Sequence, residues 1–411
     1  MFRQKYFLCS FIFFCVLLLA VTQSIAANRN FADIDTVRIG CLTNFHAAYG
    51  LGQMNAVKLA VEEINADGGI LGKKIEVFYQ DTEGKAEKAI AAFKKVVLDD
   101  AVDIVIGPSA SGASLAVQPH LSKYNIVAIA TASAAKTLTD NVEKNYDKNK
   151  YFFRAMVNTE RQKNASRDFL LEFVHKKLGY NKIAILAENS KWTHDLAPGL
   201  KKDLEAKGVK VVYLEMFDTD IKDFTPIFTK IKSSGAQWIA QMVAHSAAIP
   251  LVKAWQDTKP APMGNNNVAS TDSKFWEQTG GKCLYEVTYN FIGRAPLTEK
   301  TIPMWDKYVE RFKTNPIFPS GFSYDAVYML AEVIKQKRSV KTQDLIDGLE
   351  NIEYSGVLHP RTAFDKKSHD LLEGRYVVPF VQWQPDGKQV TFFPEKLKAG
   401  DYLAPSWWKQ N

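Results

Sequence analysis

The stretch from Val37 to Asp81 constrains this chain most, because it reads as one complete strand, turn, helix and second strand. VRIGCL is a short apolar run, and NFHAAYGLGQ is a turn that reaches Tyr49 and Gly50. Met54, Val57, Val61 and Ile64 then fall on one helical face at spacings of three and four. NADGGILGKK stops that helix on paired glycines before IEVFYQD resumes as a strand. Two parallel strands joined this way need a right-handed crossover. The turn holding Tyr49 must therefore open at the carboxyl edge of the first strand, where open α/β sheets place their ligands.

The same rhythm continues. AEKAIAAFKKVVLDD is an amphipathic helix with Ile90, Phe93 and Val97 facing inward, VDIVIG is a buried strand, a helix runs from about Ser111 to Tyr124, and IVAIAT is the next strand. Such alternation predicts a mostly parallel sheet covered on both faces. DNVEKNYDKNK reads as a polar interval approaching a crossing into a second half. There the pattern restarts with Phe169, Leu170, Phe173 and Val174 on a helix, followed by KIAILAE, KVVYLEMF and AQWIAQMV as strands. Near the end, WQPDGKQVTFF reads as a hairpin around Asp386 and Gly387, followed by an aromatic-rich, loosely structured tail.

The order of these residues closely resembles the type I periplasmic solute-binding proteins, in the leucine/isoleucine/valine-binding branch of ABC transport receptors. The resemblance rests on AAYG before the first helix, on EEINADGGILGKKIEVFYQDTEGKAEKA, and on DIVIGPSASG followed by QPHLSKYNIVAIATASAAKTLT. It runs from about Thr36 to about Trp383. It implies an α/β fold of two lobes, each a mostly parallel sheet flanked by helices, with three hinge crossings. Lobe one is expected to comprise 36–157 and 289–376, and lobe two 158–288 and 377–411, with the third crossing at YVVPFVQW. The resemblance further implies binding rather than catalysis, with no cofactor, and delivery of a small-molecule ligand by a monomer to a membrane permease driven by an ATPase. A sensor that presents its closed form to a signalling receptor is the alternative, and the genes beside this one would separate the two.

Length and charge agree with export of a two-domain carrier. Residues 1–26 combine the basic start MFRQK, the apolar core YFLCSFIFFCVLLLAV and a small-residue cleavage site at Ser24 to Ala26, the pattern of a cleaved signal peptide. Its removal leaves 385 of 411 residues, more than one core usually serves, and takes Arg3 and Lys5 from a formal charge of +7 to leave +5. The lysines are scattered on helix faces beside acids, as in KKDLEAK, so nucleic-acid binding is not expected. Cys41 and Cys283 are the cysteines left after processing. They fall in different lobes by the resemblance, and Glu83 and Ala110 stand where some relatives carry a bridging pair. Two buried free thiols are expected.

GPSASGAS, residues 107–114, joins a buried strand to a helix. Unpaired N–H groups at the helix start, with Ser109 and Ser111, make an anion site without a full charge, whereas the plain alternative is capping of the helix by serine. By position Ser111 matches the family serine that holds the ligand carboxylate. The stretch is not a nucleophile elbow, which needs glycine where Ser111 stands, and GGILGKK is not a phosphate loop, since it closes a helix and lacks the final hydroxyl. The seven histidines show no H-E-x-x-H or paired spacing, so no metal site is expected.

The remaining site residues come from the resemblance. Ala132 keeps a small backbone-contact position, while the hydroxyl that should follow falls on Ala134, with Ser133 one residue early. Trp192 stands where relatives carry a tyrosine that closes over the ligand, and Phe318, with Phe322 nearby, is a candidate apolar contact. Ala244 replaces a tyrosine and Asn266 a glutamate, the two groups that hold the ammonium in amino-acid binders. A buried ammonium without an anionic partner costs several kcal/mol, and asparagine offers only a neutral carbonyl and two N–H donors. The expected ligand is a small carboxylate, amide or amino-acid-like molecule, and the loss of both groups favours one without a free α-amino group.

Overall fold

A computed structural model describes residues 29–372 and 378–409. The expected signal peptide, and residues 376 and 377 at the start of the third crossing, lie outside them. Five strands, β1 (Thr36–Thr43), β2 (Lys74–Asp81), β3 (Ile104–Ile106), β4 (Val127–Ala130) and β5 (Phe152–Arg154), form an all-parallel sheet in the order β2-β1-β3-β4-β5. A second sheet runs β12-β11-β10-β9-β8-β6-β7. Its members are β6 (Lys182–Glu188), β7 (Lys210–Phe217), β8 (Trp238–Val243), β9 (Gly264–Asn267), β10 (Val287–Tyr289), β11 (Phe380–Trp383) and β12 (Gln389–Phe393). Strands β6 to β10 are parallel, while β11 and β12 are the antiparallel hairpin expected around Asp386 and Gly387.

Why the strands read as continuous apolar runs is visible in their burial. β3, β4 and β8 are buried along their whole length because helices cover both faces. Each Val, Ile or Leu removed from water there contributes about 1.5–3 kcal/mol. The chain returns to the first sheet after β10. Helix Ser320–Lys337 packs on helix Ala48–Ala66, with Ser320 Oγ donating to the Gly52 carbonyl at 3.2 Å and Ser323 Oγ to Thr131 Oγ1 at 2.8 Å. Cys41 and Cys283 are both buried and free, and burial pushes each thiol up to about 12.

Three local expectations are corrected. Tyr49 and Gly50 are not the end of a turn but sit in the first turn of a helix that begins at Ala48. Here Gly50 is required, since a Cβ would lie 1.9 Å from the Asn44 carbonyl oxygen, and this close approach folds Asn44 back against Tyr49. The polar interval 140–150 is helical over Thr137–Lys144 and Tyr146–Asn149, the second piece started by the Asn145 side chain accepting the Lys148 N–H. The aromatic tail is docked rather than loose: Trp407 Nε1 donates to Gln256 at 3.2 Å and Trp408 Nε1 to the Tyr180 hydroxyl at 3.0 Å.

Candidate ligand-binding site

The carboxyl ends of β1, β3 and β4 face those of β6, β8 and β9 across a cavity of about 340 Å³. Tyr49, Ser109, Ser111, Ala132, Trp192, Ala244, Asn266 and Phe318 all line it. Ser133 does not. Its Oγ donates to the Pro108 carbonyl at 2.7 Å and meets Ser114 Oγ at 2.8 Å, so the backbone turns it into the lobe and presents Ala132 and Ala134 instead. Phe322 is not on the wall; it packs behind Phe318 against Phe291.

On the first-sheet side the wall is rich in hydrogen-bond donors. The residue at the cap position of helix Ser111–Tyr124 is Ala110, with no side chain able to cap, so the serines flank the cap rather than fill it. Ser109 Oγ accepts the Asn44 N–H and Ser111 Oγ accepts the Ala135 N–H, each at 3.1 Å. Both accept there, so each O–H remains to donate, beside the unsatisfied amides of the first helical turn. Arg154 fixes the opposite side of this loop. Fully buried at the end of β5, it donates to the carbonyls of Ala134 at 3.1 Å and Ala135 at 2.6 Å while its Nε meets Asp370 at 2.9 Å.

The second-sheet side holds a buried carboxylate that the cavity does not reach. Glu188 Oε1 accepts from Trp192 Nε1 and His245 Nδ1, both at 2.8 Å, and from Ser190 Oγ at 3.2 Å; Oε2 accepts the backbone N–H groups of Ala244 and His245. Burial opposes its charge, but the His245 charge and these donors together hold it below the usual glutamate value. With both oxygens engaged, Glu188 has no acceptor to spare for a ligand ammonium. Glu83, the acid on the cavity wall among the described residues, is paired with Lys85 at 3.0 Å and Lys88 at 3.5 Å. Asn266, a neutral amide on the same wall, donates through Nδ2 to the Tyr289 hydroxyl at 2.7 Å.

A family profile described as periplasmic binding protein matches residues 36–388. The chain belongs to the periplasmic binding protein family. An amino acid binding protein of Pseudomonas aeruginosa is 25% identical over 377 residues, covering 91% of this chain and 96% of the relative. Among solved structures, the branched-chain amino acid transporter substrate binding protein LivJ of Streptococcus pneumoniae, in complex with isoleucine, superposes with a TM-score of 0.74 at 22% identity. It covers 90% of this chain and 100% of that one. A solute binding protein of an ABC transporter from Rhodopseudomonas palustris BisB5, in complex with 3,4-dihydroxy benzoic acid, gives 0.74 at 18% identity over 87% and 95%.

The cavity wall of this binding protein also holds residues that the sequence did not single out. His245, Gln162, Val268 and Lys191 line the same cavity, and Gly84 lies beside the Tyr49 hydroxyl, where a Cβ would come within 3.1 Å of it. Metal-ligand spacing does not single out His245. A titratable side chain just past the end of parallel strand β8 was the signal for His245.

Proposed function

We propose that this chain is the solute-binding component of an ABC uptake system for small carboxylates with an apolar or aromatic body and no free α-amino group. The protein is exported by cleavage near residue 26, acts as a monomer, and hands its ligand to a permease and its ATPase. The lobes divide near 157/158 and near 289, where β10 ends in the second sheet; the third expected crossing, at 376/377, lies outside the described residues. The observation that carries the ligand class is the contrast between the two walls. One offers the Ser109 and Ser111 hydroxyls at an uncapped helix start; the other has no uncommitted acid among the described residues. The carboxylate occupies the serine end, and Tyr49, Trp192 and Phe318 enclose the body. Relatives by structure include binders of both isoleucine and 3,4-dihydroxy benzoic acid, and Asn266 in place of an acid favours the second kind.

Ser111→Ala tests the carboxylate end. Affinity for benzoate is expected to fall by about 1.5–3 kcal/mol, the range for a hydrogen bond to a charged group, with the unfolding midpoint little changed. Calorimetry that finds unchanged affinity in a folded variant places the carboxylate elsewhere.

A further inference from the structure

Resting on the carboxylate reading above, we propose that Glu188, His245, Tyr49 and Asn44 form a proton-linked relay across the cleft. The relay aims the Tyr49 hydroxyl at a hydrogen-bond acceptor on the far end of the ligand. His245 is then a positioning residue that acts through Tyr49.

The relay is continuous. His245 Nδ1 lies 2.8 Å from Glu188 Oε1, His245 Nε2 lies 3.2 Å from the Tyr49 hydroxyl, and Asn44 Nδ2 lies 3.2 Å from the same hydroxyl. The rings of Tyr49 and His245 meet edge-on at 5.4 Å. Glu188 and His245 follow strands of the second sheet, and Tyr49 and Asn44 follow β1 of the first, so the contact joins the two sides. Two of its proton positions are fixed by neighbours. Glu188 accepts two backbone N–H groups on its other oxygen, so as a carboxylate it accepts a hydrogen bond from His245 Nδ1–H. Asn44 Oδ1 accepts the His46 N–H at 2.9 Å, which leaves its NH2 to face Tyr49.

One proton therefore sets the state of Tyr49. With His245 neutral, Nε2 is an acceptor and the Tyr49 O–H is spent on it. With His245 protonated, Nε2–H and Asn44 Nδ2–H both donate to the phenolic oxygen, and its own hydrogen is released to the cavity. Burial opposes charge on His245, yet the charge and hydrogen bond of Glu188 outweigh it and raise its pKa above the ordinary 6.5. Burial also raises the Tyr49 pKa, so Tyr49 stays a neutral phenol. The other charged groups around the imidazole are committed elsewhere: Glu83 to Lys85 and Lys88, Lys191 to Asp195, and His46 to Asp81 at 3.1 Å. Asp272, across a side pocket from His245, accepts from Thr314 and the Lys274 N–H.

The test compares 4-acetylbenzoate with 4-isopropylbenzoate, a matched pair in which only the first carries a far-end acceptor and neither titrates above pH 6. In wild-type protein, calorimetry should show the acetyl compound bound more tightly at pH 6. Its affinity should fall by about tenfold per pH unit once the pH passes the raised His245 value, because one proton is then taken up on binding. The isopropyl compound should give a flat profile. Tyr49→Phe should abolish both the acetyl preference and the slope, and His245→Gln should hold the acetyl compound at the weak, high-pH level throughout. Tight binding of both compounds with no slope in the wild type, or a slope that survives Tyr49→Phe, overturns the relay and leaves the carboxylate reading standing. Failure of both compounds to bind at pH 6 overturns the two together.

Discussion

Arg154→Met is expected to destabilise the folded protein by about 3–5 kcal/mol, because it strands the Asp370 carboxylate without its buried partner. Arg154 is fully buried and meets Asp370 through Nε at 2.9 Å and through a second guanidinium nitrogen. Burial opposes charge on Asp370, but the Arg154 charge and hydrogen bonds, with the Asn158 amide at 2.7 Å, hold its pKa below the ordinary aspartate value. The same guanidinium ties down the carbonyls of Ala134 and Ala135, so the variant should also lose ligand affinity as that cavity wall loosens. Urea unfolding measures the first effect. The double variant Arg154→Met, Asp370→Leu should recover much of the loss, since it removes the stranded charge as well; a single-variant loss below about 1 kcal/mol would mean that the pair is no more than a surface-type bridge.

Glu286→Gln should have the opposite sign at alkaline pH. Glu286 is fully buried beside Asn267, Ser270 and Gln241 with no paired cation among the described residues, and burial pushes its carboxyl up to about 7 against those hydrogen bonds. The folded state therefore holds this proton more tightly than the unfolded chain. Its contribution is fully present below the unfolded value near 4.5 and is lost as the pH rises to about 7. By linkage, a shift of this size makes the wild type less stable by about 2–4 kcal/mol at pH 8 than the neutral variant, with the difference closing near pH 4. Unfolding curves at the two pH values decide it, and an unchanged difference between them would show that Glu286 does not titrate in this range.

Both residues show where sequence reading runs out. The periodicity from Val37 to Asp81 locates a βαβ unit, and the small, hydroxyl-rich run 107–114 locates the helix start, because each depends on local pattern. The helices Thr137–Lys144 and Tyr146–Asn149 are hard to read from sequence because Leu138 and Val142 are the buried apolar face of an otherwise polar run and a distant partner holds the second piece, Tyr146 donating to Glu350. Ser133 against Ala134 was equally out of reach, since which of two neighbours faces a cavity depends on a backbone turn set by the Pro108 carbonyl. Glu188 is the buried acid behind the cavity wall that could otherwise face a ligand ammonium. Its five internal donors, which remove that role, come from residues up to 57 positions away and are legible only in three dimensions. Asn266, by contrast, is singled out by the resemblance as standing at a family acid position, and the structure shows that it lines the cavity wall.

The most direct measurement of the central claim is calorimetric titration of ligand-stripped protein with L-leucine and with 4-methylpentanoate, the same skeleton without its amino group. On the proposed reading the serine end takes the carboxylate and the wall has no uncommitted acid among the described residues, so the deaminated compound should bind at least about tenfold more tightly, a difference of about 1.4 kcal/mol. Tight, stereospecific binding of L-leucine, with 4-methylpentanoate the weaker ligand, would contradict the account and require an ammonium partner on the wall.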